Sequence, residues 1–419
     1  MKKIFLGLCL MLFVVGLLVA AGQDEAIDIE KEVINIWTPT GSNDLWIQQL
    51  IEEYNTIDPN VEFIQTVQSF SDYFTVLNTA IGSDDTPDIM WSTIAAYKRY
   101  VEADVYAELN DYYSKYGWEL IVGTENLLSL EVNSNSYVLP VETPFWPVFY
   151  YNKVIFAELG LTPPETEAEF VTVAKALVDG GYLPVVAGNK DFYIANILYN
   201  GIAANMISEE EVRNVWQKGY QNVDFTSSQQ IEILEKLKYF TDNIWVEGAN
   251  AMSIADSETL FAGYRAGALM KDSYLLAKTR VASQFDNPAE EVGIFYLPTF
   301  NQVDPPAIAY QLNGMYALSS SSQHKETGAE FLNYLISADG QSLGAINGIM
   351  PIRNDVVLND EGGPVMMAAF EAAKGRNRVL SPTAGFPNDF AREMQVIFQE
   401  LIGGRLTPEE AALAIEGAK

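Results

Sequence analysis

Thiol and imidazole are almost missing from this chain: one cysteine and one histidine in 419 residues. Each scarcity removes a class of chemistry. Cys9 lies inside an N-terminal apolar run expected to be cleaved, so the mature chain is expected to carry no thiol nucleophile, no disulfide and no cysteine-held metal. His324 stands in Ser-Ser-Gln-His-Lys, which reads as a solvated loop beside a lysine, a poor place for a base or a metal ligand. Neither a Ser–His–Asp nor a Cys–His set can be assembled from what remains. No phosphate-cradling glycine loop or dinucleotide fingerprint occurs, and Gly180–Gly181 and Gly403–Gly404 read as helix stops. Positive charge is scarce as well. Lys and Arg number 25 against 56 Asp and Glu, a formal charge of −31 that removal of Lys2 and Lys3 makes more negative still. Such a chain repels phosphate backbones and anionic membrane surfaces, which makes nucleic acid and lipid poor partners. Internal repeats and low-complexity segments are absent too.

What is present begins with an address. Lys2–Lys3, the apolar run Ile4–Ala20, and the small residues Ala20, Ala21 and Gly22 form the three regions of a secretory signal, residues 1–22. A lipid anchor needs cysteine after the small residues, and Gln23 stands there instead. The expectation is export, cleavage, no lipid anchor and a periplasmic, monomeric protein. The remaining length exceeds what one hydrophobic core serves, so two domains are expected.

Hydrophobic period gives the class. Val33–Trp37 reads as a strand ending in a Pro-Gly-Ser-Asn loop. A helix follows whose apolar face is Leu45, Trp46, Leu50, Ile51 and Tyr54, and then a second strand at Val61–Val67. This strand–helix–strand unit is the building block of an open α/β sheet, in which ligands bind beyond the carboxyl ends of strands. Further strands are expected at Ile89–Trp91, Leu183–Ala187, Ala268–Lys271, Val292–Phe300 and Met315–Ser319. Helices are expected at Tyr73–Ile81, Thr166–Asp179, Phe192–Met206, Ser208–Lys218, Gln229–Ile244, Glu258–Gly267 and Pro387–Gly403. Thr166 with Glu169, and Thr407 with Glu410, have the spacing of capping boxes. The central stretch Tyr137–Pro163 holds a Pro144–Phe145–Trp146–Pro147 knot, the run Val148–Tyr151, then a short helix ending at Gly160.

Carboxylates are so plentiful that a two-carboxylate glycosidase or lyase cannot be removed by counting, although only Glu142 has markedly apolar surroundings. Residues 83–88 lack the spacing of a calcium loop. The adjacent Tyr150 and Tyr151 resemble paired phenolate ligands for ferric iron, but the better reading sends one ring to the core and the other to a cleft. Trp37, Trp91, Trp146, Tyr193 and Tyr274 fall at strand ends or in loops, where flat rings can stack on pyranose faces while neighbouring Asp, Asn, Glu, Arg and Ser take hydroxyls. Trp118, Trp216 and Trp245 occupy helix-like positions and are assigned to packing or partner surfaces.

Seven segments in order resemble the extracellular solute-binding proteins of ABC sugar importers, the maltose-binding-protein type. They are INIWT, GSDDTPDIMW, LPVETPFWPVFYYNKVIFAELGLTPPET, LFAGYRAGALMKDSY, MYALSSSSQHKETGAEFLNYLIS, GIMPIRNDV and GRLTPEEAAL. The resemblance implies a periplasmic-binding-protein-like α/β fold of two lobes joined by crossing strands. Its lobes would be 23–145 with 295–345, and 146–294 with 346–419. It implies a carbohydrate ligand held between the lobes, delivery to ABC transporter permease subunits, and neither catalysis nor a cofactor. The residues it points to are Trp37, Thr38, Trp91, Ser92 and Glu142 in the first lobe and Asn313 at the boundary. In the second lobe they are Trp146, Tyr193, Asp272, Ser273, Tyr274, Arg353 and Phe390. Two departures from the family pattern are Trp146 held between prolines and Lys271–Asp272 where small residues are commoner. A binder of peptide, polyamine or metal on the same fold is the further alternative.

Overall fold

Ile34 and Ile36 of strand β1 (Glu32–Pro39) and Val61 and Phe63 of strand β2 (Val61–Gln68) alternate with more exposed residues, so each strand presents one buried face. The two strands pair in parallel, Glu32 opposite Val61. A parallel pair needs a crossover, and the helix Asp44–Ile57 supplies it, burying Trp46, Ile47, Leu50, Ile51 and Tyr54. The apolar stripe thus starts one residue later than the sequence suggests. Ile47 is buried, and Leu45 is left 52% exposed. The computed structural model describes residues 31–419 apart from 41–43, 70–71, 84, 95, 124–125, 128–129, 277–283, 299, 301–304, 354, 357–363 and 384. The signal segment 1–22 therefore lies outside the described residues, as does the loop at 41–43.

β3 (Ile89–Ser92) lies beside β1, and two later strands complete this sheet: β4 (Leu139–Glu142) and β11 (Asn313–Leu318), in the order β2-β1-β3-β11-β4. The helix Lys325–Leu335 packs back against it through Phe331, Leu332 and Leu335, and Leu343 of the helix Ala338–Ile346 joins the same cluster. Trp46 fastens the arrangement. Its ring is fully buried, its Nε1–H donates to the Gly340 carbonyl at 2.9 Å, and a Cβ on Gly344 would come within 2.9 Å of it.

Two further sheets form the second lobe. One has the order β7-β8-β6-β9, from Leu183–Val186, Ala266–Lys271, Val148–Asn152 and Val292–Phe295. The other has the order β12-β10-β5, from Asn377–Leu380, Ala307–Tyr310 and Phe145–Trp146. Helices Tyr193–Ala204, Ser228–Ile244, Asn388–Ile402 and Pro408–Gly417 share one apolar cluster with these strands. The helix after β6 ends at Gly160 with φ +65°, a left-handed cap suited to glycine. The capping boxes at Thr166–Glu169 and Thr407–Glu410 both form. The helix expected to start at Glu258 starts at Ile254, because Ser253 and Asp256 make a further capping box upstream.

The chain passes between lobes three times, and the passages lie side by side. Thr143 N–H donates to the Met350 carbonyl at 2.9 Å, Thr143 Oγ1 donates to Pro351 O at 3.0 Å, and Gln311 N–H donates to Pro144 O at 3.2 Å. Asn313 is registered opposite Glu142. The sequence reading returns the chain to the first lobe at 295, but the structure returns it at 311–313. β9 stays paired to β6, and Tyr296, Leu297, Phe300 and Ala307–Ala309 fill second-lobe clusters. The last passage lies at 349–352 rather than 346, since Ile349 and Ile352 still pack in the first lobe while Met350 packs in the second.

Candidate ligand site at the lobe crossing

β4 carries Glu142 to its carboxyl end, where the chain leaves the first lobe. The carboxyl group is fully buried, and Oε1 accepts from the Tyr274 hydroxyl at 3.1 Å, across the boundary between the lobes. Gly314 makes room for it: a Cβ there would lie 2.6 Å from Glu142 Oε1, and its φ of +52° suits glycine. The buried Tyr316 phenol is pushed well up first by burial and then by the Glu142 charge.

Tyr274 stands in a 3₁₀ turn, Ser273–Leu276, that follows β8. Asp272 shapes this turn by accepting Tyr274 N–H on Oδ1 at 3.0 Å, while its own carbonyl accepts from Tyr150 Oη at 2.8 Å. Ser273 is fully buried, and its Oγ accepts Phe145 N–H at 3.1 Å, tying the turn to β5. Burial, then the nearby Asp272 carboxylate, holds the Tyr193 phenol well above its ordinary range. Trp146 meets Tyr193 edge-on, with centroids 6.1 Å apart, and its buried Nε1 has no hydrogen-bond partner among the described residues. Glu142, Trp146, Tyr193, Asp272, Ser273 and Tyr274 are thus brought together, with Asn313 backbone-paired to Glu142. Trp146, Glu142, Asp272 and Ser273 are buried here and Tyr193 and Tyr274 half-buried, so the two carboxylates, two phenols and the indole would meet a ligand only where the lobes part around them. In kind they are the acceptors, donors and flat apolar face that a polyhydroxylated ring needs.

Other expected residues go elsewhere. Trp91 is 1% exposed, its ring covered by Tyr73 and Phe74 at 5.5 and 5.9 Å. Ser92 and Thr38 are wholly buried, Ser92 against the Tyr106 phenol and Thr38 accepting from Gln65 Nε2 at 2.8 Å. The helix Tyr73–Gly82 closes over these strand ends, so burial rather than exposure is their structural role. Trp37 is half-buried at the rim of the same cluster. Arg353 is occupied by Asp355, Nε and Nη2 donating to its two carboxylate oxygens at 2.8 and 2.6 Å, and by Ile336 O. Phe390 is 4% exposed, stacked on Tyr220 at 4.4 Å and flanked by Phe225 and Phe386, so it is core. Tyr150 is buried as expected, but Tyr151 packs on Phe156 and Phe295 rather than facing a cleft. Trp118 is fully buried and Trp245 nearly so, while the Trp216 side chain lies outside what is described. His324 Nδ1 lies 2.6 Å from Glu32 Oε1.

The Lys271 departure is also explained. Its ammonium pairs with Glu258 in a nearly closed environment and not with the site. Glu258→Ala would strand that buried charge. Its expected cost is about 3–5 kcal/mol of stability in urea unfolding, with ligand affinity unchanged; an unchanged unfolding midpoint would show the pair to be solvated.

Among the described residues no group of three or more His, Cys, Asp and Glu side chains is arranged to hold a metal ion, and no helix is long and apolar enough to cross a membrane. The family model for bacterial extracellular solute-binding proteins matches residues 38–342. This chain belongs to that family. The solute-binding protein is 23% identical over 331 residues to a multiple sugar-binding protein of Streptococcus mutans, covering 77% of this chain and 76% of that one. Its fold matches a probable secreted solute-binding lipoprotein of Streptomyces coelicolor with a TM-score of 0.76 at 18% identity, over 92% of this chain and 98% of the other. It also matches an ABC transporter solute-binding protein of Thermotoga lettingae bound with α-D-tagatose, TM-score 0.70 at 18% identity, over 93% and 99%. Sequence reasoning missed Gly314, Tyr316 and Tyr150 as supports of the site. The Asn313–Gly314 pair before β11 was the available signal, since a left-handed glycine admits a neighbouring group closely.

Proposed function

We propose that this protein captures a carbohydrate, mono- or oligosaccharide, between its two lobes and hands it to the permease subunits of an ABC importer. The carrying observation is the Glu142–Tyr274–Asp272–Tyr193 chain of hydrogen-bonding groups, which draws on both lobes at the point where the backbone crosses between them. A ligand that touches both lobes favours the closed arrangement by its differential affinity for it. Family membership and the sugar-binding relatives support the same reading. The protein acts without catalysis, as a periplasmic monomer without a lipid anchor, and takes no nucleic acid.

A melting-temperature screen of the mature protein tests this. The panel is glucose, tagatose, raffinose, xylotriose and chitotriose, with amino acids and spermidine alongside. A ligand that binds only the folded state raises the midpoint by mass action. The expected result is a rise with one class of saccharide and no turnover of chromogenic glycosides. A rise with an amine or amino acid alone, or glycoside turnover, would overturn the function and keep the fold.

A further inference from the structure

Phe192 adopts φ +70° and ψ −13°, the left-handed region, although it is neither glycine nor asparagine. A bulky residue persists there only where its surroundings over-determine it, and these do. Phe192 N–H donates to Asn189 O at 3.0 Å. Asn189 in turn caps the following helix by accepting Ala195 N–H at 2.9 Å. From the helix Asn388–Ile402, Gln399 Nε2 donates to Asn189 O at 2.8 Å, and Arg392 Nη1 donates to Asp191 O at 3.3 Å. The Arg392 guanidinium also lies over the Phe192 ring, its carbon 4.0 Å from the centroid. The next residue in the chain is Tyr193, whose ring meets Trp146 edge-on and whose phenol feels the Asp272 carboxylate.

We propose that Phe192 and Arg392 are positioning residues for the lobe-crossing site: the guanidinium stacked on the Phe192 ring holds the left-handed turn that delivers Tyr193 to Asp272 and Trp146. The proposal rests on the carbohydrate-site reading for its effect on affinity. A glycine would adopt this backbone conformation without strain but would give Arg392 no ring to rest on, so the turn would lose that brace. The contact reaches the site from the helix Asn388–Ile402, which makes that helix a support of the second lobe's side of the site.

The test is a double-mutant cycle on Arg392→Ala and Tyr193→Phe. It reads the dissociation constant of whichever panel saccharide binds, together with amide hydrogen exchange at Phe192 and Ala195. Arg392→Ala is expected to weaken binding about two- to fivefold, the range of an exposed cation–π contact. It should have no further effect in the Tyr193→Phe background, because coupled residues are not additive. Phe192→Gly should keep the melting temperature and lose affinity to the same extent. Additive losses, or undiminished affinity in Phe192→Gly, would overturn the proposal. Should the wild type bind no saccharide of the panel, the exchange measurement decides alone. Faster exchange at both amides in Arg392→Ala at an unchanged melting temperature supports the positioning role, and unchanged exchange overturns it.

Discussion

Glu142→Ala should reduce saccharide affinity by about 10- to 100-fold, the scale of a lost hydrogen bond to a charged group. Glu142 is fully buried at the end of β4, beside all three passages between the lobes, and its Oε1 already accepts from a second-lobe phenol. Removing it deletes an acceptor and also releases Tyr274, so both lobes lose a contact with one change. Glu142→Gln keeps the shape and one acceptor, and should lie between wild type and alanine. Gly314→Ala should imitate the alanine variant from the other side, because its Cβ would displace the carboxyl group from 2.6 Å away. Titration calorimetry with the saccharide found in the screen checks this, and affinity within twofold of wild type for Glu142→Ala would remove Glu142 from the site.

Trp46→Ala should cost about 3–5 kcal/mol of unfolding free energy, the usual range for emptying a buried aromatic position. The indole is fully buried between the helix Asp44–Ile57 and the helix Ala338–Ile346, and it donates to Gly340 O. It therefore joins the first and last portions of the first lobe, which are nearly three hundred residues apart in the chain. Truncation leaves a void and an acceptor without its donor. Urea unfolding reads the loss directly, and a change below about 1 kcal/mol would mean that the helices repack.

Elements governed by local signals were legible in the sequence. Hydrophobic period found the helix Asp44–Ile57, though its buried stripe starts one residue late, and the Thr166 and Thr407 capping boxes form as their spacing requires. Gly160 stopped its helix for a reason visible in one residue. Contacts set by distant partners were less legible. Trp91, Ser92 and Thr38 do stand at the carboxyl ends of strands, but Tyr73, Phe74 and Tyr106 come from other segments to cover them. Phe390 was indistinguishable from a cleft aromatic until Tyr220, Phe225 and Phe386 closed around it. The return passage at 311–313 depended on β9 choosing β6 as its partner, a pairing across more than one hundred and forty residues. Glu142 and the Asp272–Tyr274 turn were each marked by their surroundings or by resemblance. Their meeting across 132 positions was not marked.

The most direct test of the account is a crystal structure of the mature protein grown with the saccharide that raises its melting temperature. The account predicts one sugar lying between the lobes, within hydrogen-bond distance of Glu142 from the first and of Asp272 or Tyr193 from the second, with a ring face against Trp146. A sugar held wholly on one lobe, for instance in the groove lined by Glu211, Asn214, Asp224 and Gln230, would contradict it.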